Sequence, residues 1–173
     1  MRKHSGHAGT VQIGPPIVPP DAIGGGIAAI YYLEPYETND IDVFFSPMIV
    51  GQHGLVSLDP VYNYLQALGY EAVKEGVMIE SWLVQFVPAF ASIQEEAIAQ
   101  ARQVTYVNSQ TFVFGPEHLA AELLRSGRRK DQLRVIALIE AGKVDMPTFR
   151  AILTRHGLSD KWKELATKFD LAE

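Results

Sequence analysis

Residues 23–45 read IGGGIAAIYYLEPYETNDIDVFF and combine a glycine turn with two aspartates one residue apart. Glycine lets backbone N–H groups approach an anion at the start of a helix, where the helix dipole favours negative charge. Asp40 and Asp42 lie on the strand predicted to follow, and their side chains share one face because side chains alternate along a strand. Two adjacent carboxylates suit a hard divalent cation such as Mg²⁺. The stretch therefore predicts a phosphate-binding turn that faces a metal site, and so nucleotide chemistry.

The composition excludes several classes of protein. The chain has 173 residues, of which 47% are hydrophobic and 20% charged, as is typical of a globular domain. Its net charge of −5 gives no overall field that attracts nucleic acid, so we expect no binding to duplex DNA. The absence of cysteine excludes disulfides, thiolate-bound zinc and thiol catalysis. The absence of cysteine also suits a cytoplasmic protein. No apolar run reaches the roughly 20 residues that span a bilayer, so we expect no membrane association.

The chain divides into three predicted parts. Residues 1–20 are rich in glycine, proline and histidine and predict a flexible or extended leader. Residues 21–115 alternate predicted strands and helices, whereas residues 116–173 are predicted to be a helical region. This order favours an α+β fold, in which a small mixed β-sheet is backed by helices and followed by a C-terminal helical extension.

Hydrophobic periodicity and turn residues set the predicted elements. Strands are predicted at residues 40–46, 48–50, 70–73, 77–80, 84–87, 104–107 and 111–114. Helices are predicted around residues 27–31, 59–68, 92–101, 117–126, 129–141, 147–156 and 160–169. Asp59 is the expected N-cap of the second helix, and Ser92 with Glu95 has the spacing of a capping box in the third. Turns at Ser81–Leu83 and Asn108–Gln110 are expected to close two hairpins.

The motifs resemble the signature of the nucleotidyltransferase superfamily, which has the polymerase-beta-like fold. In that family a Gly-Gly or Gly-Ser turn begins a helix, as at residues 23–32, and a D-x-D strand binds metal, as at residues 38–45. The chain is similar in particular to small bacterial nucleotidyltransferase-like proteins of the abortive-infection and toxin–antitoxin type, through residues 80–89 and Gly127–Asp131. The resemblance covers about residues 22–140.

The resemblance implies a ligand set and a reaction. It implies that Gly24, Gly25 and Gly26 contact the nucleotide, and that Asp40 and Asp42 bind Mg²⁺ or Mn²⁺ and take part in catalysis. The implied substrate is a nucleoside triphosphate. The implied reaction is transfer of a nucleoside monophosphate to a hydroxyl group on a protein or an RNA.

One position departs from the family pattern. The family's third catalytic carboxylate corresponds to Gln85, which can coordinate a cation through its carbonyl oxygen but cannot act as a base. We expect residue 85 to share a sheet face with the two aspartates, and Glu80 on the neighbouring hairpin strand is the other candidate for a third acid. Arg128 and Lys130 are candidates for contacts with the nucleotide or RNA; the alternative is a solvated helix start.

Two functions stay open from the sequence. The first is an active nucleotidyltransferase that uses a nucleoside triphosphate and a divalent cation. The second is a catalytically weak or inactive protein that keeps this fold as a regulatory scaffold or as one partner of a toxin–antitoxin pair. Glutamine at position 85 and the net acidity favour the second function. A homodimer or a complex with a partner protein is compatible with both.

Overall fold

The structure is a computed structural model that describes residues 21–33, 38, 40–46, 58–106 and 109–171. Its strands are β1 (Asp21–Ile23), β2 (Asp40–Phe45), β3 (Glu71–Val73), β4 (Gly76–Ile79), β5 (Trp82–Pro88), β6 (Arg102–Tyr106) and β7 (Ser109–Val113). Its helices are α1 (Gly25–Tyr32), α2 (Asp59–Ala67), α3 (Ser92–Ala99), α4 (Pro116–Ser126), α5 (Arg129–Glu140), α6 (Met146–Arg155) and α7 (Ser159–Lys168). The predicted leader at residues 1–20 and the predicted strand at residues 48–50 lie outside the described residues.

The described strands form one mixed sheet with the order β3-β4-β5-β2-β1-β7-β6. At its centre β2 runs parallel to β5 and antiparallel to β1, and β1 runs parallel to β7. Antiparallel hairpins complete both sides of the sheet. The predicted α+β class, a mixed sheet backed by helices with helices at the C-terminal end, is confirmed.

Two hairpin turns differ from the prediction. The β4–β5 turn consists of Glu80 and Ser81, because Ile79 already pairs with Trp82. Glu80 has a φ of 56°, which is the left-handed backbone that a two-residue hairpin loop requires. In the second hairpin Ser109 already belongs to β7, so the predicted turn at Asn108–Gln110 was placed too late. The β4–β5 loop is therefore one residue shorter than the sequence indicated, and Asn108 lies outside the described residues.

Two predicted helix starts are also displaced by one residue. Asp59 is the first residue of α2, and the N-cap is Leu58. In α3 the N-cap is Ala91, whose backbone N–H donates to Oε1 of Gln94 over 3.1 Å. Ser92 and Glu95 therefore do not form the predicted capping box. The helices after residue 115 start and end within a residue of their predicted bounds.

The hydrophobic core is shared by the sheet and the C-terminal helices. One cluster of buried side chains includes Phe44 of β2, Phe114 after β7, Leu119 of α4 and Phe149 of α6. Burying a side chain of this size stabilises a fold by about 1.5–3 kcal/mol. Every residue of α4 from Pro116 to Leu124 is buried, and this helix packs among the other helices, chiefly α5, α6, α3 and α1. Its C-terminal end lines a cleft together with residues of β2 and β5.

None of the helices in the described part of the chain is both long and apolar enough to cross a membrane.

Candidate active site

The glycine turn packs directly onto the strand that carries the aspartates. The N–H of Gly24 donates to the carbonyl oxygen of Asp42 over 3.0 Å. Gly25 has a φ of 56°, and a Cβ at this position would overlap the carboxylate of Asp42. A Cβ on Gly26 would lie 2.5 Å from Oγ1 of Thr38. The start of α1 therefore reaches the Asp42 carboxylate only because side chains are absent from the turn.

Asp40 and Asp42 lie on the same face of β2, as expected for alternate residues of a strand. Oγ1 of Thr38 donates to Oδ1 of Asp40 over 2.6 Å. Burial raises the pKa of Asp42 above its ordinary value, and the neighbouring charge of Asp40 raises it further. The positive charges of Arg128 and Lys130 act in the opposite direction on this pKa. Both basic residues are therefore within electrostatic reach of the Asp42 carboxylate.

Gln85 is the register partner of Asp42 across the parallel β2–β5 pair. Register partners in neighbouring strands point to the same face, so the expected placement of residue 85 is confirmed. Its Nε2 donates to the carbonyl oxygen of Glu75 over 3.4 Å. Glu80, the other candidate for a third acid, lies in the exposed β4–β5 turn beyond the start of β5.

A cleft of about 400 Å³ separates the sheet from the α4–α5 corner. Asp42 and Gln85 lie on its strand wall. Arg125, Ser126 and Arg128 lie on the wall formed by the helices. Acidic and basic groups thus face one another across a space large enough for a small ligand.

A buried carboxylate organises the α4–α5 corner. Asp131 is fully buried and accepts hydrogen bonds from Oγ of Ser126, from Nε of Arg128 at 2.6 Å and from Nη1 of Arg134 at 3.2 Å. A buried carboxylate needs such partners because an unpaired charge is costly away from water. The corner between the two helices is therefore held in one geometry at the mouth of the cleft.

Comparison with known proteins bears on the fold. No protein-family model and no curated protein matches the chain. A crystal structure of an antigenic nucleotidyltransferase-like protein from Paracoccidioides brasiliensis matches with a TM-score of 0.51, 17% identity, and coverage of 86% of this chain and 83% of that one. The chain has a nucleotidyltransferase-like fold. The solution structure of the antibiotic-resistance factor ANT(2'')-Ia is 21% identical over 87% of this chain and 82% of its own, with a TM-score of 0.38, too low to support an inference.

Within this nucleotidyltransferase-like fold, the donor set suits a cation that is shared with phosphate oxygens. Asp40 and Asp42 offer carboxylate oxygens of the kind that Mg²⁺ and Mn²⁺ prefer. The described residues contain no group of three or more acidic or histidine side chains that could hold a metal ion without help. Mg²⁺ is commonly held by one or two carboxylates together with substrate phosphates, so the pair fits this type of site.

On the cleft wall formed by the helices, the sequence interpretation named Arg128 but missed the other polar groups. Glu122 and Gln94 are buried there, although both residue types are usually exposed. A local signal was present, because Glu122 and Arg125 are three residues apart on one helix, and so are Arg128 and Asp131.

Proposed function

We propose that the chain binds a nucleoside triphosphate together with Mg²⁺ or Mn²⁺ in this cleft and transfers a nucleoside monophosphate to a hydroxyl group of a protein or an RNA. The observation that carries the proposal is the direct packing of Gly25 against the Asp42 carboxylate. This packing puts the N-terminal amides of α1 and the carboxylate pair at one place. An anion and a cation bound side by side, as in a metal–phosphate complex, match that arrangement.

Each group has a defined task in the proposed reaction. The divalent cation would neutralise charge on the phosphates when bound. Asp40 and Asp42 hold it, and the raised pKa of Asp42 means that this carboxylate gains from a nearby cation. The backbone of Gly24–Gly26 offers N–H groups to the phosphates, while Arg128 and Lys130 add positive charge beside the carboxylates.

Gln85 limits the rate in this proposal. Its amide can orient a hydroxyl or coordinate a cation, but it cannot take up a proton. A positioned general base typically contributes about 10²–10⁴-fold to a rate, so transfer is expected to be slow. Incubation with α-³²P-labelled nucleotides and candidate acceptors measures this step separately from binding.

The binding test compares the wild-type protein with an Asp40→Asn/Asp42→Asn variant. ATP, GTP, CTP or UTP at millimolar concentration with Mg²⁺ is expected to raise the melting temperature of the wild type, because a ligand that binds only the folded state stabilises it. The double variant should fold and lose this shift. Asp160→Asn is the control, since that side chain is 98% exposed and its ion pair within the described ranges is with Lys163. A wild-type protein that no nucleotide stabilises would refute the proposal.

The second candidate function is a regulatory scaffold, such as one partner of a toxin–antitoxin pair. It is favoured by the glutamine that pairs with Asp42 where the resemblance requires an acid. In this case the double Asp→Asn variant should be as stable as the wild type or more stable, because two adjacent like charges are removed. Nucleotides should then leave the melting temperature unchanged, and a co-purifying partner protein or a homodimer should be found.

A further inference from the structure

Arg125 of α4 is held rigidly on the cleft wall opposite Asp42. Its Nε donates to Oε2 of Glu122 over 2.6 Å, and its Nη2 donates to Oε1 of the same residue over 2.8 Å. These bonds occupy one edge of the guanidinium group. In the described part of the chain Nη1 has no hydrogen-bond partner. One end of the group is therefore fixed while the other can receive a ligand.

Glu122 is itself positioned by a chain of hydrogen bonds. Its side chain is only 9% exposed, and Nε2 of Gln94 donates to its Oε1 over 2.8 Å. The amide oxygen Oε1 of Gln94 accepts a hydrogen bond from the backbone N–H of Ala91. Arg125 is thus connected through two buried side chains to the backbone at the start of α3. Such support reduces the conformational entropy that a side chain loses when it binds a ligand.

Arg128 repeats this arrangement on the other side of the α4–α5 corner. Its Nε donates to the buried Asp131, and among the described residues neither of its Nη atoms has a hydrogen-bond partner. Both arginines line the same cleft as Asp42. The wall therefore presents two guanidinium groups, each anchored through Nε on a buried carboxylate and each with free N–H donors.

We propose that Arg125 and Arg128 form a two-arginine clamp for adjacent phosphate groups, with Glu122 and Gln94 as positioning residues. A guanidinium group binds a phosphate through paired hydrogen bonds, so two anchored groups match two neighbouring phosphates. The clamp therefore selects the polyphosphate end of a nucleoside triphosphate over a nucleoside monophosphate. This inference rests on the proposed function and deepens it, because it assigns the part of the ligand that the helices recognise.

The chain contains a matched control for the ion pair. Arg155 donates through Nε and Nη2 to the two carboxylate oxygens of Glu96, as Arg125 does to Glu122. Arg155 does not line the cleft. An effect that comes only from breaking a bidentate pair should appear in both Arg125→Met and Arg155→Met. An effect on phosphate binding should appear in Arg125→Met alone.

The experiment is isothermal titration of ATP and AMP with Mg²⁺, and of tripolyphosphate without metal, into wild type, Arg125→Met, Arg125→Lys and Arg155→Met. Arg125→Met is expected to lower the affinity for ATP and for tripolyphosphate about tenfold or more, and the affinity for AMP by less than about threefold. These values follow from the strength of charged hydrogen bonds. Arg125→Lys should recover part of the loss, because it keeps the charge without the paired donors. Arg155→Met should leave all three affinities unchanged.

Glu122→Gln tests the positioning role. It should lower the preference for ATP over AMP in the same direction as Arg125→Met, with a smaller change. A merely structural role would lower the melting temperature and leave this preference as it is in the wild type.

The outcomes separate the clamp from the proposed function. The clamp is overturned and the proposed function stands if wild type and Arg125→Met bind ATP with equal affinity. The same holds if Arg125→Met lowers the affinities for ATP and AMP by the same factor. If tripolyphosphate binds through Arg125 but no nucleotide binds, the clamp is supported and the proposed function fails. If the wild type binds neither, both are overturned.

Discussion

The carboxylates of Glu96 and Asp42 are in opposite electrostatic situations. Glu96 of α3 accepts two hydrogen bonds from Arg155 and contacts the ring nitrogens of His118 and His156 at 3.1 and 2.7 Å. The bonds from Arg155 have the largest effect and lower its pKa to about 2, with help from the two histidines; burial acts in the opposite direction and ranks second. In the described part of the chain no side chain donates a hydrogen bond to the carboxylate of Asp42, and burial raises its pKa.

The difference shows what each acid contributes. Glu96 joins α3 to α4 and α6 and has no capacity left for a ligand. Asp42 lies beside a cleft, and the protein stabilises its ionised form poorly. A bound cation would therefore stabilise the negative charge of this carboxylate. We infer that Glu96 stabilises the fold and that Asp42 binds the cation of the proposed function. Changes at the two sites should therefore separate stability from nucleotide binding.

The largest effect is expected from Gly25→Ala. The new Cβ would overlap the Asp42 carboxylate, and the residue would have to keep a left-handed backbone. We expect a loss of about 2 kcal/mol or more of stability from strain and overlap, and loss of any Mg²⁺–nucleotide binding. Chemical denaturation and titration with ATP measure the two quantities.

Gly142→Ala is the control for this variant. Gly142 also has a positive φ, 63°, but a Cβ there would meet nothing within 4 Å. Only the backbone cost of about 1 kcal/mol is expected, with unchanged nucleotide binding. If Gly25→Ala and Gly142→Ala changed nucleotide binding equally, close packing of Gly25 against the Asp42 carboxylate would not be required for binding.

The next effect is expected from Glu96→Ala, which removes the shared partner of Arg155, His118 and His156. His118 would be left buried without this bond, so we expect a loss of about 2 kcal/mol of stability. Nucleotide binding should not change, because Glu96 does not line the cleft. The measurements are urea denaturation and ATP titration on the same samples. A stable variant that loses ATP binding would reverse the assignment of the two acids.

The parts of the fold that the sequence predicted depend on local signals. Glycines that end helices, as at Gly127, and the DID strand are read from neighbouring residues, and both were placed correctly. The resemblance placed Gln85 on the same sheet face as Asp40 and Asp42, and its register opposite Asp42 agrees with this. Composition and spacing alone could not have given that pairing, because the two residues are far apart in the chain.

Apart from Arg128, the cleft wall formed by the helices was not predicted, because its geometry depends on long-range contacts. Gln94 and Glu122 are 28 residues apart and meet only after α3 packs on α4. Glu96 and Arg155 are 59 residues apart. Burial decides the role of each of these polar groups, and hydrophobic periodicity gives no information on which polar residues become buried. The sequence therefore indicated the strand half of the site and Arg128 of the helical half, and it missed Gln94, Glu122 and Arg125.

The pH dependence of stability should identify Glu96. Because its pKa in the folded protein is about 2 and the ordinary value is 4.5, the unfolded chain binds the proton more readily. Its stabilising contribution is therefore complete above about pH 5 and is lost as the pH falls toward 2. Allowing for solvent screening, we expect about 1 kcal/mol from this source. Glu96→Gln should remove that part of the acid sensitivity, whereas Asp42→Asn should leave it in place.

The smallest effect is expected from Gln85→Asp, which adds an acid directly beside Asp42. If a cation binds at the carboxylate pair, a third carboxylate should tighten Mn²⁺ binding by a few-fold, since affinity rises with the charge of the ligand set. Without metal, the added like charge should cost a few tenths of a kcal/mol of stability. Metal titration and thermal denaturation with and without Mn²⁺ measure both. Gln103→Asp on β6 is the control, because it adds the same charge on a strand that does not line the cleft. If Gln85→Asp lowers stability but Mn²⁺ affinity stays at the wild-type value, the carboxylate pair would not be a metal site. Asp42 and Glu96 would then differ only in their effect on the stability of the fold.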